Sequence, residues 1–141
     1  MSMPLEGIRV LDFTQVILGP VATVMLADLG AEVIKVESPG RDEAARPESA
    51  RRAPDGYESG NEAHNRGKQS ITVNLKHPEG REVIYRLVPK VDVVTENYSV
   101  GVMDRLGLSY EDLSRLNPGL IYGSCTSFGT EGPLRDWKGM D

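Results

Sequence analysis

The stretch from Gly7 to Glu37 constrains the fold most. "GIRVLDF" (7–13) is apolar and β-branched and is followed by a turn-rich segment, so a buried strand is predicted there. "GP" at Gly19 and Pro20 then opens a helix, because proline suits a first helical turn, where its missing N–H costs no hydrogen bond. The helix is predicted from Pro20 to Leu29, with Val21, Met25 and Leu29 on one stripe and Gly30 as the C-terminal stop. "AEVIKVE" (31–37) is the second strand. Strand, helix and strand at this spacing make a βαβ unit, which requires the two strands to be parallel.

The alternation continues. "SITVNL" (70–75) is predicted as the third strand, and "HPEGREVIYRLVPK" (77–90) as a helix with Pro78 in its first turn. Val83, Ile84, Leu87 and Val88 are its expected buried face, and His77 is expected exposed at its start. "VDVVTEN" (91–97) is the fourth strand, "GVMDRLGL" a short helix, and "SYEDLSRLN" another, with Ser109 and Asp112 spaced like a capping box. "GLIYGSCTSF" (119–128) is the fifth strand, with Cys125 expected in the core and only loop after it. The expected class is α/β, a Rossmann-like doubly wound parallel sheet, in the 141 residues of one domain. Residues 38–68 interrupt it with a polar excursion whose charges are of both signs. It lacks hydrophobic periodicity and is read as a long functional loop or a partly disordered excursion near a ligand mouth. Within it, "GRDEAARPESARR" is no basic patch, because Asp42, Glu43 and Glu48 break it.

Several function classes fit poorly. The net charge of −5 argues against a nucleic-acid partner. No apolar run is long enough for a membrane span, and "MSMPLEGIRV" lacks a signal pattern. A single cysteine, Cys125, rules out an internal disulfide and fits a reducing cytoplasm. Open α/β sheets bind ligands beyond the carboxyl ends of their strands, here "DFTQVILGP", "VESPG", "VNLKHPEG", "TENYSVG" and "SFGTEG". Glu37 stands about where a ribose-binding acid would sit, but the first turn offers only Gly19. Neither the dinucleotide fingerprint G-x-G-x-x-G nor a P-loop is present. His64, His77 and Cys125 form no metal-ligand pattern, so no metal is expected. No Gly-x-Ser-x-Gly elbow occurs. Composition and spacing alone stop at an α/β ligand-binding domain.

The residues themselves say more. "LGPVATVMLADLGAEVIKVE", "NRGKQS", "ENYSVGVMDRLGL" and "LNPGLIY" occur in this order. The chain therefore resembles the amino-terminal part of the class III CoA-transferases, a family that includes formyl-CoA transferase, carnitine CoA-transferase and the α-methylacyl-CoA racemases. The resemblance covers nearly the whole chain outside the variable loop near 43–60. It implies a CoA-binding domain, incomplete relative to the full family subunit, which forms an interlocked homodimer. It further implies acyl-CoA and carboxylic acid substrates and an aspartate nucleophile that forms an acyl anhydride and then a CoA thioester. That aspartate lies in a Gly-Asp segment past the position of Asp141, so the chain alone is expected to be inactive, with Asp141 an ordinary acidic loop residue. Racemases carry Gly-His-Asp where this sequence reads "GMD", and the Met140 thioether cannot shuttle a proton. CoA transfer is therefore favoured over racemisation, with a non-catalytic CoA-binding module as a further alternative.

The same resemblance points to site residues. Lys76 and Arg105 are expected to meet CoA phosphates. Asn97 and Tyr98 match positions lining the adenine and pantetheine region, where the tyrosine ring suits packing on the base, and Val73 shares that rim. Gln15, Val16 and Leu18 fill the turn "TQVILGP", which lies beside the thioester in the family. There Gln15 supports catalysis near a helix N-terminus that favours developing negative charge. Ser38 replaces an arginine found near CoA in formyl-CoA transferases, a departure that removes one phosphate contact.

Overall fold

A computed structural model describes residues 2–39, 63–137 and 139. Five strands alternate with helices: β1 (Arg9–Asp12), α1 (Leu18–Asp28), β2 (Glu32–Glu37), β3 (Gln69–Thr72), α2 (Pro78–Leu87), β4 (Val93–Glu96), α3 (Val102–Leu106), α4 (Tyr110–Leu113) and β5 (Ile121–Ser124). A short 3-10 turn, Val88–Lys90, extends α2. The sheet order is β3-β2-β1-β4-β5, and every neighbouring pair is parallel. The chain winds outward through β2 and β3, then returns to the other side of β1 for β4 and β5. That reversal places a crevice between the carboxyl ends of β1 and β4, the expected ligand position in such sheets.

Alternation along β1 divides the core. Leu11 and Phe13 join Ile84 of α2, Val94, Met103, Leu108 and Leu113 in one cluster, whereas Val10 joins Val33, Ala31 and, from α1, Leu26 and Ala27 in another. Successive strand residues face opposite sides, so α1 covers one face of the sheet and α2 the other. Asp12, two residues after Val10, therefore faces α1. In the sheet register it is level with Lys35 of β2 and Thr95 of β4.

β1, β4 and β5 are shorter than predicted at both ends, β2 starts one residue late and ends as predicted, β3 starts one residue early and stops at Thr72, and α1 begins at Leu18 rather than Pro20. The stripe of α1 also differs: its buried residues are Gly19, Pro20, Thr23 and Val24, while Met25 and Leu29 are 59% and 44% exposed. The reason is close approach. A Cβ on Gly19 would lie 2.3 Å from Thr14 Cβ, so the helix packs on the sheet through small and polar groups rather than its large apolar ones. Ile84 on α2 and Val88 at the start of its 3-10 extension are buried as expected, but Val83 is 43% exposed. Ser109 does cap α4: its Oγ accepts from Asp112 N at 3.3 Å and donates to Asp112 Oδ2 at 2.8 Å. Gly30, at φ 101°, ends α1 in a conformation that glycine adopts freely.

Candidate functional site

The turn from β1 to α1 forms one wall of the crevice, and a buried polar cluster fixes it from below. Asp12 Oδ1 accepts from Thr14 N at 2.8 Å and from the Thr14 hydroxyl. Asp12 Oδ2 accepts from Thr23 Oγ1 at 2.7 Å and from Lys68 Nζ at 3.0 Å. Lys68 Nζ also donates to Thr23 Oγ1 at 2.7 Å and to Pro20 O at 3.0 Å. All three ammonium donors thus find acceptors. The Lys68 side chain is 1% exposed and that of Asp12 is 0% exposed. Lys35 Nζ adds a bond to Thr14 O at 3.1 Å.

Burial pushes the Asp12 carboxyl up, but the hydrogen bonds from Thr14 and Thr23 and the Lys68 charge together hold it below its ordinary value. Burial draws Lys68 down, against the attraction of Asp12 and aided by the nearby Lys35 charge. Removing either partner would strand a buried charge, at a cost of about 3–5 kcal/mol.

Above this cluster, Asn97 grips Gln15. Asn97 Oδ1 accepts from Gln15 N at 2.8 Å, and Asn97 Nδ2 donates to Gln15 O at 2.7 Å. Gln15 Nε2 donates to Tyr98 Oη at 2.7 Å. The end of β4 is held in turn by buried Glu96, whose Oε2 accepts from Tyr98 N at 2.8 Å. Val16 follows at φ 67°, a left-handed conformation that is a real outlier for a β-branched residue and persists only where the surroundings impose it. Val16, Ile17 and Leu18 are 64%, 45% and 53% exposed and make an apolar lip. The first turn of α1 itself contains no acidic residue, and the positive end of the helix dipole faces this lip.

The structure therefore brings Gln15, Asn97 and Tyr98 into one hydrogen-bonded group, with Val16 and Leu18 on the adjoining turn. Val73 lies just past β3, where its N–H donates to Glu37 O at 2.8 Å and its side chain is buried in the core. Lys76 follows it, exposed, and Arg105 is exposed on α3. Ser38 is exposed just past β2, and His77 is exposed at the N-cap of α2 as expected. Cys125 is half-buried beyond the end of β5 rather than in the core. Burial there, with the Glu96 charge, pushes its thiol up. Met140, Asp141 and residues 40–62, including Asp42, Glu43 and Glu48, lie outside the described residues. Among the described residues no group of three or more His, Cys, Asp or Glu side chains could hold a metal.

Sequence reading missed Asp12, Thr14, Thr23, Lys35 and Lys68. The signal was present in part. A carboxylate inside the apolar run "VLDF" is buried if the strand is buried, and a buried carboxylate demands a cation. Which lysine would supply it was not legible, because Lys68 closes the polar excursion and is distant in sequence.

The residues match the family model described as CoA-transferase family III over 5–141. The chain belongs to that family. It is 42% identical over 142 residues to acetyl-CoA:oxalate CoA-transferase of Acetobacter aceti, covering 98% of this chain and 35% of that protein. It is 44% identical over 141 residues to the human succinyl-CoA:glutarate CoA-transferase, covering 98% of this chain and 31% of the relative. Among solved structures, a hypothetical protein from Mycobacterium tuberculosis superposes with a TM-score of 0.86 at 44% identity, covering 99% of this chain and 38% of that one. A CAIB/BAIF family protein from Brucella suis superposes with a TM-score of 0.83 at 41% identity, covering 100% of this chain and 38% of that one. The chain thus spans about a third of the length of the curated family members it matches. The α/β class and the parallel sheet agree with those neighbours.

Proposed function

We propose that this chain forms the amino-terminal, CoA-binding part of a CoA-transferase that moves CoA between two carboxylic acids. The observation that carries the proposal is the Gln15–Asn97–Tyr98 group at the switch-point crevice of a family III chain. CoA needs cations for its phosphates and an apolar channel for its thiol arm. Lys76 and Arg105 supply exposed charge beyond the strand ends, and Val16, Ile17 and Leu18 supply exposed apolar surface.

In the proposed reaction an aspartate carboxylate attacks the acyl carbonyl of the donor thioester. The CoA thiolate leaves and an acyl–aspartyl anhydride remains. The thiolate then attacks the aspartyl carbonyl, releasing the donor acid and forming an aspartyl-CoA thioester, and the acceptor acid takes CoA by the same two steps in reverse. That aspartate is proposed to lie in sequence beyond Asp141, a reading that the family resemblance supports. This chain's contribution is to bind and orient CoA. The Gln15 carboxamide has two N–H donors, one of which goes to Tyr98. The second is the proposed donor to negative charge developing on the thioester oxygen. The same resemblance supports an interlocked homodimer, and the single cysteine fits a reducing cytoplasm.

The test is an assay of the full-length subunit with succinyl-CoA or acetyl-CoA as donor and glutarate or oxalate as acceptor, the acids and esters named for its relatives. Transfer of CoA to at least one acceptor is expected. Absence of both transfer and CoA binding would overturn the proposal.

A further inference from the structure

The Lys68 and Asp12 side chains are buried, yet their cluster touches both ends of the turn that lines the crevice. At the β1 end, Asp12 takes the Thr14 N–H and hydroxyl, and Lys35 takes the Thr14 carbonyl. At the α1 end, Lys68 takes the Pro20 carbonyl and the Thr23 hydroxyl. Between these anchors run Gln15, strained Val16 and the exposed Ile17 and Leu18. A left-handed valine does not hold itself, since that conformation costs about 1–2 kcal/mol relative to an ordinary one. Something must over-determine it. Asn97 holds Gln15, and the cluster holds Thr14, Pro20 and Thr23 on either side of the turn. Thr14 is also the group against which Gly19 packs, so the same residue sets the spacing of helix and sheet.

We propose that Asp12, Thr14, Thr23 and Lys68 are positioning residues that clamp both ends of the β1–α1 turn and so fix where Gln15 and the N-terminus of α1 stand in the reaction. None of the four needs to touch substrate. The inference rests on the CoA-transfer reading for its catalytic consequence, but its structural consequence stands apart. Without the clamp, the turn relaxes away from the left-handed valine while the sheet and helices persist.

Thr14→Val in the full-length subunit tests this, because it keeps the side-chain shape and removes one charge-assisted bond. Two readouts separate the clamp from the assigned reaction. In the ligand-free subunit, amide hydrogen exchange across Gln15–Leu18 is expected to rise about tenfold, with β1 and β4 unchanged, since a hydrogen bond to a charged group is worth about that much. This needs no activity. In the transfer assay, kcat is expected to fall about tenfold while KM for the acyl-CoA stays within about twofold, and Thr14→Ser should restore most of kcat. A general loss of stability would instead raise exchange throughout and scale down the active fraction. Thr23→Val is the second variant, for use if Thr14→Val does not fold, and the same local exchange is expected. Unchanged exchange in the turn would overturn the clamp. Raised exchange with unchanged kcat would overturn its catalytic role. An inactive wild type that still shows the exchange change would count against the transfer reading and leave the clamp standing.

Discussion

Asn97 holds Gln15 by both of its backbone polar groups, accepting from the N–H at 2.8 Å and donating to the carbonyl at 2.7 Å. A side-chain amide thus substitutes for a strand neighbour just where the sheet ends. Asn97→Ala leaves a part-buried N–H and C=O without that partner. A loss of about 1–3 kcal/mol is expected from such unpaired groups, read as a lower urea midpoint. Asn97→Asp keeps the acceptor but loses the donor and should fall between alanine and the parent.

Gly19 has no room for a side chain. A Cβ there would lie 2.3 Å from Thr14 Cβ and 2.5 Å from its methyl, and Thr14 is tied to Asp12 and cannot step aside. Gly19→Ala is therefore expected to cost about 1–3 kcal/mol through overpacking. Gly119 is a fair control, because its nearest neighbour would be Asn117 Oδ1 at 3.6 Å, and its alanine variant should unfold at nearly the parent's midpoint. Equal midpoints for the two variants would contradict the close approach of α1 to the first turn.

Stability should depend on pH through Asp12. Its folded value lies below the ordinary 3.8, so the folded state binds fewer protons than the unfolded chain in that window. The contribution of Asp12 is then fully present above the unfolded value and is lost as pH falls through the folded one. Asp12→Asn strands the Lys68 charge and should cost about 3–5 kcal/mol at neutral pH. The gap between parent and variant, measured by urea unfolding, should narrow below about pH 4, where Asp12 of the unfolded chain takes up its proton before the folded carboxylate does. A gap that stays constant into acid would mean that the Asp12 charge contributes nothing.

The backbone plan was legible because each element declared itself locally. "GIRVLDF" and "AEVIKVE" are short, β-branched and bounded by turn residues, which reads as strand, and Gly30, Pro78 and the Ser109–Asp112 pair punctuate helices by local chemistry. Parallel pairing followed from the spacing. Ends were less legible, since an apolar run such as "GLIYGSCTSF" continues past the point where β4 stops offering partners, leaving β5 only Ile121–Ser124. The face of α1 was misjudged because apolar periodicity marks Met25 and Leu29, while the surface in contact with the sheet is set by the size of Gly19 and the bonds of Thr23. In the site, Gln15, Asn97 and Tyr98 were reached through family resemblance, and their mutual bonds came only with the structure. Lys68 had no local signal, because its partner Asp12 is 56 positions away.

CoA is proposed to bind at the crevice where Asn97 and Gln15 meet. Calorimetric titration of CoA into the full-length subunit, its Asn97→Ala variant and its Lys76→Met variant tests it most directly, with NAD as the control ligand. Saturable CoA binding is expected for the parent, weaker binding for both variants, and no binding of NAD. CoA affinity unchanged in both variants, or NAD bound as well as CoA, would contradict the claim.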